Sequence, residues 1–183
     1  MGLLTDIKQA FAKKAIEKVL REQERNTFFP DINEVKSILI LFESEENEKN
    51  KSIREIISKL REQGKKVSVW GYVNKKDSET AVLRDFRLFA NKEINFINLP
   101  KIALREEFLL SNYELVIDLT IKPCTPIDYL LASSLASFKV SRYKPYKGIA
   151  DFMIELKEEE NDEDEAFLFK QILFYLNNIQ AKN

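Results

Sequence analysis

The sequence predicts an α/β fold: a mostly parallel sheet sandwiched between helices in three layers. Two observations carry this expectation. Short apolar runs alternate with amphipathic stretches along nearly the whole chain, and parallel neighbouring strands require such crossover helices. The first run, "SILILF" at Ser37 to Phe42, is apolar on both faces, as a central strand covered from both sides must be.

Each element follows from its own pattern. Leu3 to about Gln23 has helical spacing. Leu3, Leu4, Ile7, Phe11, Ala15 and Val19 share one face, and Lys8, Lys13, Lys14, Lys18 and Arg21 lie largely around the rest. Pro30 and Asn33 interrupt the pattern before the first strand. Asn50 to Gln63 is an amphipathic helix with Ile53, Ile56, Ile57 and Leu60 on its buried stripe, and Gly64 is its stop. "KKVSVWGYV" is the second strand. Thr80 to Ala90 is read as a short helix, and "INFINLP" as the third strand, leading through Pro100 to a helix near Leu104 to Leu110. Glu114 to Thr120 and Phe138 to Arg142 are strands on either side of a helix from Pro126 to Ala136, and Phe152 to Leu156 is a further strand. Glu165 to Ile179 is the last helix, with Phe167, Leu168, Ile172, Tyr175, Leu176 and Ile179 facing in.

Right-handed crossovers then give a Rossmann-like sheet of five to six strands, order 3-2-1-4-5 with the sixth at the edge. Residues 1–183 are expected to form a single α/β domain. The N-terminal helix, residues 1–25, is expected to pack on that domain or on a second copy, rather than lie on a membrane surface.

Composition removes many functions. With 29 Lys+Arg against 30 Asp+Glu, there is no basic excess for nucleic acid. One cysteine and no histidine exclude an intrachain disulfide, Ser-His-Asp or Cys-His catalysis, and most zinc or iron sites. No apolar run reaches the roughly eighteen residues of a membrane span, and no signal peptide or myristoylation pattern is present. A cytoplasmic protein without metal or cofactor is expected.

In such a sheet ligands bind beyond the carboxyl ends of the strands, where the strand order reverses. Two loops matter there. The loop after Phe42, "ESEENEKN", has no glycine and carries Glu43, Glu45, Glu46 and Glu48, which argues against a nucleotide held in the usual manner. The loop "IKPCTP" after Thr120 has more chemistry. Thr125 is read as the N-cap, Pro126 as the first helical residue and Asp128 as the reciprocal acid of a capping-box-like start. Cys124 just precedes them, where helix amides would lower a thiol pKa; an inert thiol is favoured, because no histidine can act as its base. Asp118 points to one side of its strand with Val116 and Thr120. A carboxylate so placed must be paired or hydrogen-bonded, and the amides of the following turn are its expected partners. "SRYKPYKG" interleaves Arg142, Lys144 and Lys147 with Tyr143 and Tyr146 and is read as a loop with solvated ends. A ligand at the reversal point would meet Asp118, Thr120, Cys124, Thr125, Asp128 and Arg142, with Lys122 adding charge.

The segments "KSILILFES", "GKKVSVWGYVNKKD", "INFINLPK", "YELVIDLTIKPCTPIDYLLASSLASFKVSR" and "DFMIEL", closed by "FYLNNI", resemble a family of uncharacterised bacterial proteins of unknown function. The resemblance implies a compact cytoplasmic α/β protein and no activity. The "ELVIDL" strand with its helix also resembles the acceptor half of heptosyltransferase-type glycosyltransferases, which implies at most an orphaned half domain. A non-catalytic binding or scaffold protein is therefore expected, a homodimer through its terminal helices. The alternative is a small enzyme or sensor for an anionic or sugar-like ligand.

Overall fold

The computed structural model describes residues 2–44, 50–74, 82–83, 86–156 and 164–179 of the chain. The elements run α1 (Leu3–Glu22), β1 (Ser37–Glu43), α2 (Lys51–Glu62), β2 (Lys66–Val73), β3 (Val82–Leu83), β4 (Phe86–Ala90), α3 (Ile102–Leu109), β5 (Leu115–Asp118), α4 (Thr125–Ser133), β6 (Phe138–Arg142), β7 (Phe152–Ile154) and α5 (Glu165–Asn178).

The strands form one sheet in the order β3-β4-β2-β1-β5-β6-β7. The six from β4 to β7 are parallel; the two-residue β3 adds antiparallel to β4 at one edge. Apart from that edge strand, this is the expected Rossmann-like order. Alternation along each strand divides the core. Leu39, Leu41, Trp70, Tyr72, Phe89 and Val116 face α1, α3 and α4. Ile38, Ile40, Phe42, Val67, Val69 and Ile117 face α2 and α5.

The third parallel strand is β4, not "INFINLP". Phe86 and Leu88 turn to the α2–α5 side and Phe89 to the other, so the expected helix up to Ala90 gives way to a strand with a period of two; residues 80, 81, 84 and 85 lie outside the described residues. "INFINLP" cannot form a ladder because Asn95 closes it into a turn. Its side-chain Oδ1 accepts the amides of Ile97 and Leu99, both at 3.0 Å, and Asn98 takes φ +61°.

Two glycines have positional reasons. Gly64, at φ +77°, ends α2 as expected: its amide donates to Arg61 O at 2.9 Å and that of Lys65 to Leu60 O at 3.1 Å, the Schellman pattern. Gly71 lies mid-strand under Phe42, whose ring carbon would stand 2.4 Å from a Cβ there.

α2 buries its expected stripe of Ile53, Ile56, Ile57 and Leu60, but α1 and α5 bury narrower faces than their periodicity suggests. α5 buries Leu168, Phe169, Ile172 and Leu176, but Tyr175 and Ile179 are exposed. Its N-cap is Asp164, whose carboxylate accepts the Phe167 amide at 2.8 Å. α1 packs on α4 through Ala12 and Ile16, with Ala15, Val19 and Leu20 alongside. Leu4, Ile7 and Phe11, expected on the same buried face, are exposed, because they point about 130° away from Ala12 and Ile16, on a helix of 20 residues that outruns the 9 of α4. Among the described residues no helix is long and apolar enough to cross a membrane.

The end of α1 is fixed at the amino edge of the sheet. Gln23 donates to Ser134 O at 2.8 Å, and Arg25 donates to Ala136 O at 2.6 Å and grips Asp151 with both terminal nitrogens, at 2.7 and 3.1 Å. Beneath them Lys139 of β6 is fully buried. Its Nζ donates to Leu131 O (3.1 Å), Gln23 Oε1 (3.2 Å) and Ser134 O (3.5 Å). Burial, with Arg25 nearby and only partly offset by Asp151, pulls the Lys139 pKa down to about 7.

Candidate functional site at the carboxyl edge

β5 ends in a buried carboxylate. Asp118 Oδ1 accepts the Thr120 amide at 2.9 Å and the Thr120 hydroxyl at 2.8 Å, the bonds to the following turn that the sequence calls for. The other oxygen meets a cation. Lys144 Nζ stands 2.9 Å from Asp118 Oδ2, 2.6 Å from Asp128 Oδ1 and 3.0 Å from the Thr120 hydroxyl. All four residues are buried. The ammonium thus donates hydrogen bonds to Asp128 and Thr120 and pairs its charge with Asp118, which offsets the burial of all three charges.

Sequence reasoning missed Lys144, and its loop is not the solvated one expected: Lys144 is buried, whereas Tyr143 and Lys147 are exposed. A signal was available. Asp118 needed a cationic or donor partner, and the strand order puts the end of β6 directly beside it, with Ser141 in register with Asp118. Lys144 lies two residues beyond that strand.

Electrostatics follow from the burial. For Lys144 burial disfavours the charged form, but Asp118 and Asp128 outweigh it and hold the ammonium above the ordinary lysine range. Burial pushes the Asp128 carboxyl up, opposed by Lys144 and reinforced by Asp118. Asp128 therefore serves the ion cluster and not a capping box. The N-cap position is Cys124, Thr125 is the first helical residue, and no side chain caps the amides; Pro126 follows in the first turn, where its missing N–H costs nothing. The Cys124 thiol is pushed up by burial, against a lowering hydrogen bond with Ile127, with Glu43, Asp128 and Asp118 adding to the rise. The helix amide acts in the expected sense, and burial exceeds it. Nearby Tyr72 is raised to about 12, by burial first and then by Cys124 and Glu43; its hydroxyl donates to Asn91 Oδ1.

Two cavities flank the loop from Thr120 to Lys122. One, of about 240 Å³, lies at the reversal point between β1 and β5, against the first turns of α2 and α5. Its charged lining is Glu43, Asp164 and Glu165 with Lys51 and Lys122, a wall unsuited to phosphate. Glu45, Glu46 and Glu48 lie outside the described residues. The larger, about 640 Å³, lies one strand further on, over the ends of β5, β6 and β7. Lys144, Asp128 and Thr120 are in its lining, with Lys122, Pro123, Arg142, Tyr143 and Glu155. Arg142 donates to Ile121 O and so bridges β6 to the loop after β5.

Of the residues singled out in the sequence, Asp118, Thr120 and Asp128 come together around Lys144, and Thr120, Asp128 and Arg142 line the larger cavity. Cys124 and Thr125 line neither cavity. Among the described residues no group of three or more acidic or cysteine side chains could hold a metal ion.

This lining and strand order extend over a sequence that a family profile matches from residue 8 to residue 179. The chain belongs to the family of unknown function DUF6913. No curated protein and no solved structure matches it. For a DUF6913 member the function must therefore be argued from the site itself.

Proposed function

We propose that the protein is a non-catalytic, cytoplasmic binding protein for a small anionic or sugar-like ligand, held in the cavity over the ends of β5, β6 and β7. The observation that carries this reading is Lys144, buried between Asp118 and Asp128. It engages the two carboxylates at the end of the sheet, Asp118 and Asp128, and gives the cavity a fixed floor. The cavity, about 640 Å³, falls in the size range of small-molecule sites. Lys122 and Arg142 make one side of it positive, and exposed Tyr143 supplies a flat apolar wall of the kind sugars and rings pack on. Nucleic acid is no part of this reading, since acids and bases are balanced along the chain.

A thermal-shift panel of phosphorylated sugars and small carboxylates tests it. At least one should raise Tm by about 2 °C or more at saturating concentration, and Lys122→Ala with Tyr143→Ala should abolish the rise without changing the Tm of the free protein. A panel without any shift, or shifts that survive both substitutions, would refute the reading.

The homodimer keeps support at α5, where Phe174 and Tyr175 are exposed on the helix and Ile179 at its C-cap. Light scattering of wild type against Phe174→Ser tests it: a mass of one chain at high concentration removes the dimer.

A further inference from the structure

α1 has two apolar faces, and the fold uses one. Ala12 and Ile16 are buried on α4, whereas Leu4, Ile7 and Phe11 are 75%, 44% and 56% exposed. At 3.6 residues per turn these three fall within about 60° of one another, roughly 130° from the buried face. Lys8, Lys14 and Lys18, all exposed, lie within about 70° of the centre of that stripe. Lys18 also meets Glu22 at 3.8 Å.

The direction of α1 matters. Its C-terminal end meets the C-terminal end of α4, through Gln23 and Ser134, so the two helices run parallel from the carboxyl edge towards the amino edge. At about 1.5 Å per residue α1 is roughly 30 Å long and α4 about 14 Å. The surplus turns, which carry Leu4, Ile7 and Phe11, extend past the start of α4 on the side of the sheet that holds both cavities.

We propose that this overhanging half of α1 docks on an anionic lipid surface, with Leu4, Ile7 and Phe11 in the acyl boundary and Lys8, Lys14 and Lys18 among the headgroups. An interfacial helix needs this pairing of an apolar stripe with cationic flanks. A second copy fits less well. Three side chains fall far short of the roughly 800 Å² per partner of a stable interface, and pairing two such stripes brings like charges together. Lipid demands no reciprocal patch.

The test is flotation of the full chain with phosphatidylcholine vesicles, with and without phosphatidylglycerol, at low and high salt. Two variants accompany wild type: Leu4→Ser/Ile7→Ser/Phe11→Ser and Lys8→Glu/Lys14→Glu. All five positions are exposed, so the fold should persist, checked by an unchanged melt. Wild type should float with the anionic vesicles, weakly or not at all with the neutral ones, and less at high salt. Each variant should bind at least about tenfold more weakly. Absence of anionic-vesicle binding, equal binding to neutral vesicles, or binding indifferent to both variants overturns the proposal. So does a concentration-dependent dimer that the triple variant dissolves, because the stripe would then belong to a second copy.

Discussion

Lys139 and Lys144 stand five residues apart, at opposite edges of the same sheet, and both are buried. At the amino edge Lys139 faces three neutral oxygens, from Leu131, Gln23 and Ser134. At the carboxyl edge Lys144 faces two carboxylates and a hydroxyl. Geometry satisfies both ammoniums; charge separates them. Neutral dipoles do not offset the burial of Lys139, whose pKa falls to about 7, while the acids around Lys144 push its pKa above the ordinary lysine range. Burial alone does not decide a lysine's charge state; the formal charge of its neighbours does.

The strongest way to break this contrast is at Lys144. Lys144→Met leaves Asp118 and Asp128 buried without a cation and should cost about 3–5 kcal/mol in a denaturant titration. Adding Asp128→Asn should recover a large part of that loss, because one uncompensated charge disappears. A loss below about 1 kcal/mol in the single variant would mean that the two acids do not depend on Lys144.

Lys139→Met should have a smaller effect, about 1–3 kcal/mol near neutral pH, through the hydrogen bonds lost to Leu131 O and Gln23 Oε1. Its sharper readout is pH. The folded pKa of Lys139 lies below its unfolded value, so between about 7 and the ordinary 10.5 the unfolded chain holds more protons than the native one. Stability from this residue therefore rises as pH climbs through that window. Denaturant titrations at about pH 6 and about pH 9 should show wild type gaining a stability increment that Lys139→Met lacks. Lys144 has the opposite sign: its contribution is fully present below the ordinary lysine value and is lost only above it, so it adds no slope there. Equal slopes in wild type and Lys139→Met would contradict the contrast. The smallest effect is expected for Gln23→Ala, about 0.5–1.5 kcal/mol, because Lys139 keeps two backbone acceptors.

How much of this was legible in the sequence follows the range of the interactions. The strand order, the stop at Gly64 and the bonds from Asp118 to its own turn depend on neighbours in sequence and on period, and they could be read. "INFINLP" could not: its apolar content imitates a strand, but the Asn95 side chain takes the amides of Ile97 and Leu99 and the backbone closes on itself from Asn95 to Leu99. The exposed half of α1 was misread because α1 has two apolar faces, and periodicity does not reveal which of them the fold covers. Lys144 was missed because its partners are 16 and 26 residues away in sequence, on two different elements, and a lysine in a Tyr-Lys-Pro loop has the composition of a solvated turn. The cavity one strand beyond the reversal point also had no local signature, since it is made where three strand ends and their loops meet.

The strap formed by Gln23 and Arg25 has a consequence for biosynthesis. Its acceptors, Ser134 and Ala136, lie 111 residues downstream. At about 5–20 residues per second, α1 leaves the ribosome roughly 5–20 s before the surface it caps has been made. For that interval both its apolar faces are uncovered, so α1 stays open to a chaperone or a lipid surface until α4 has been made.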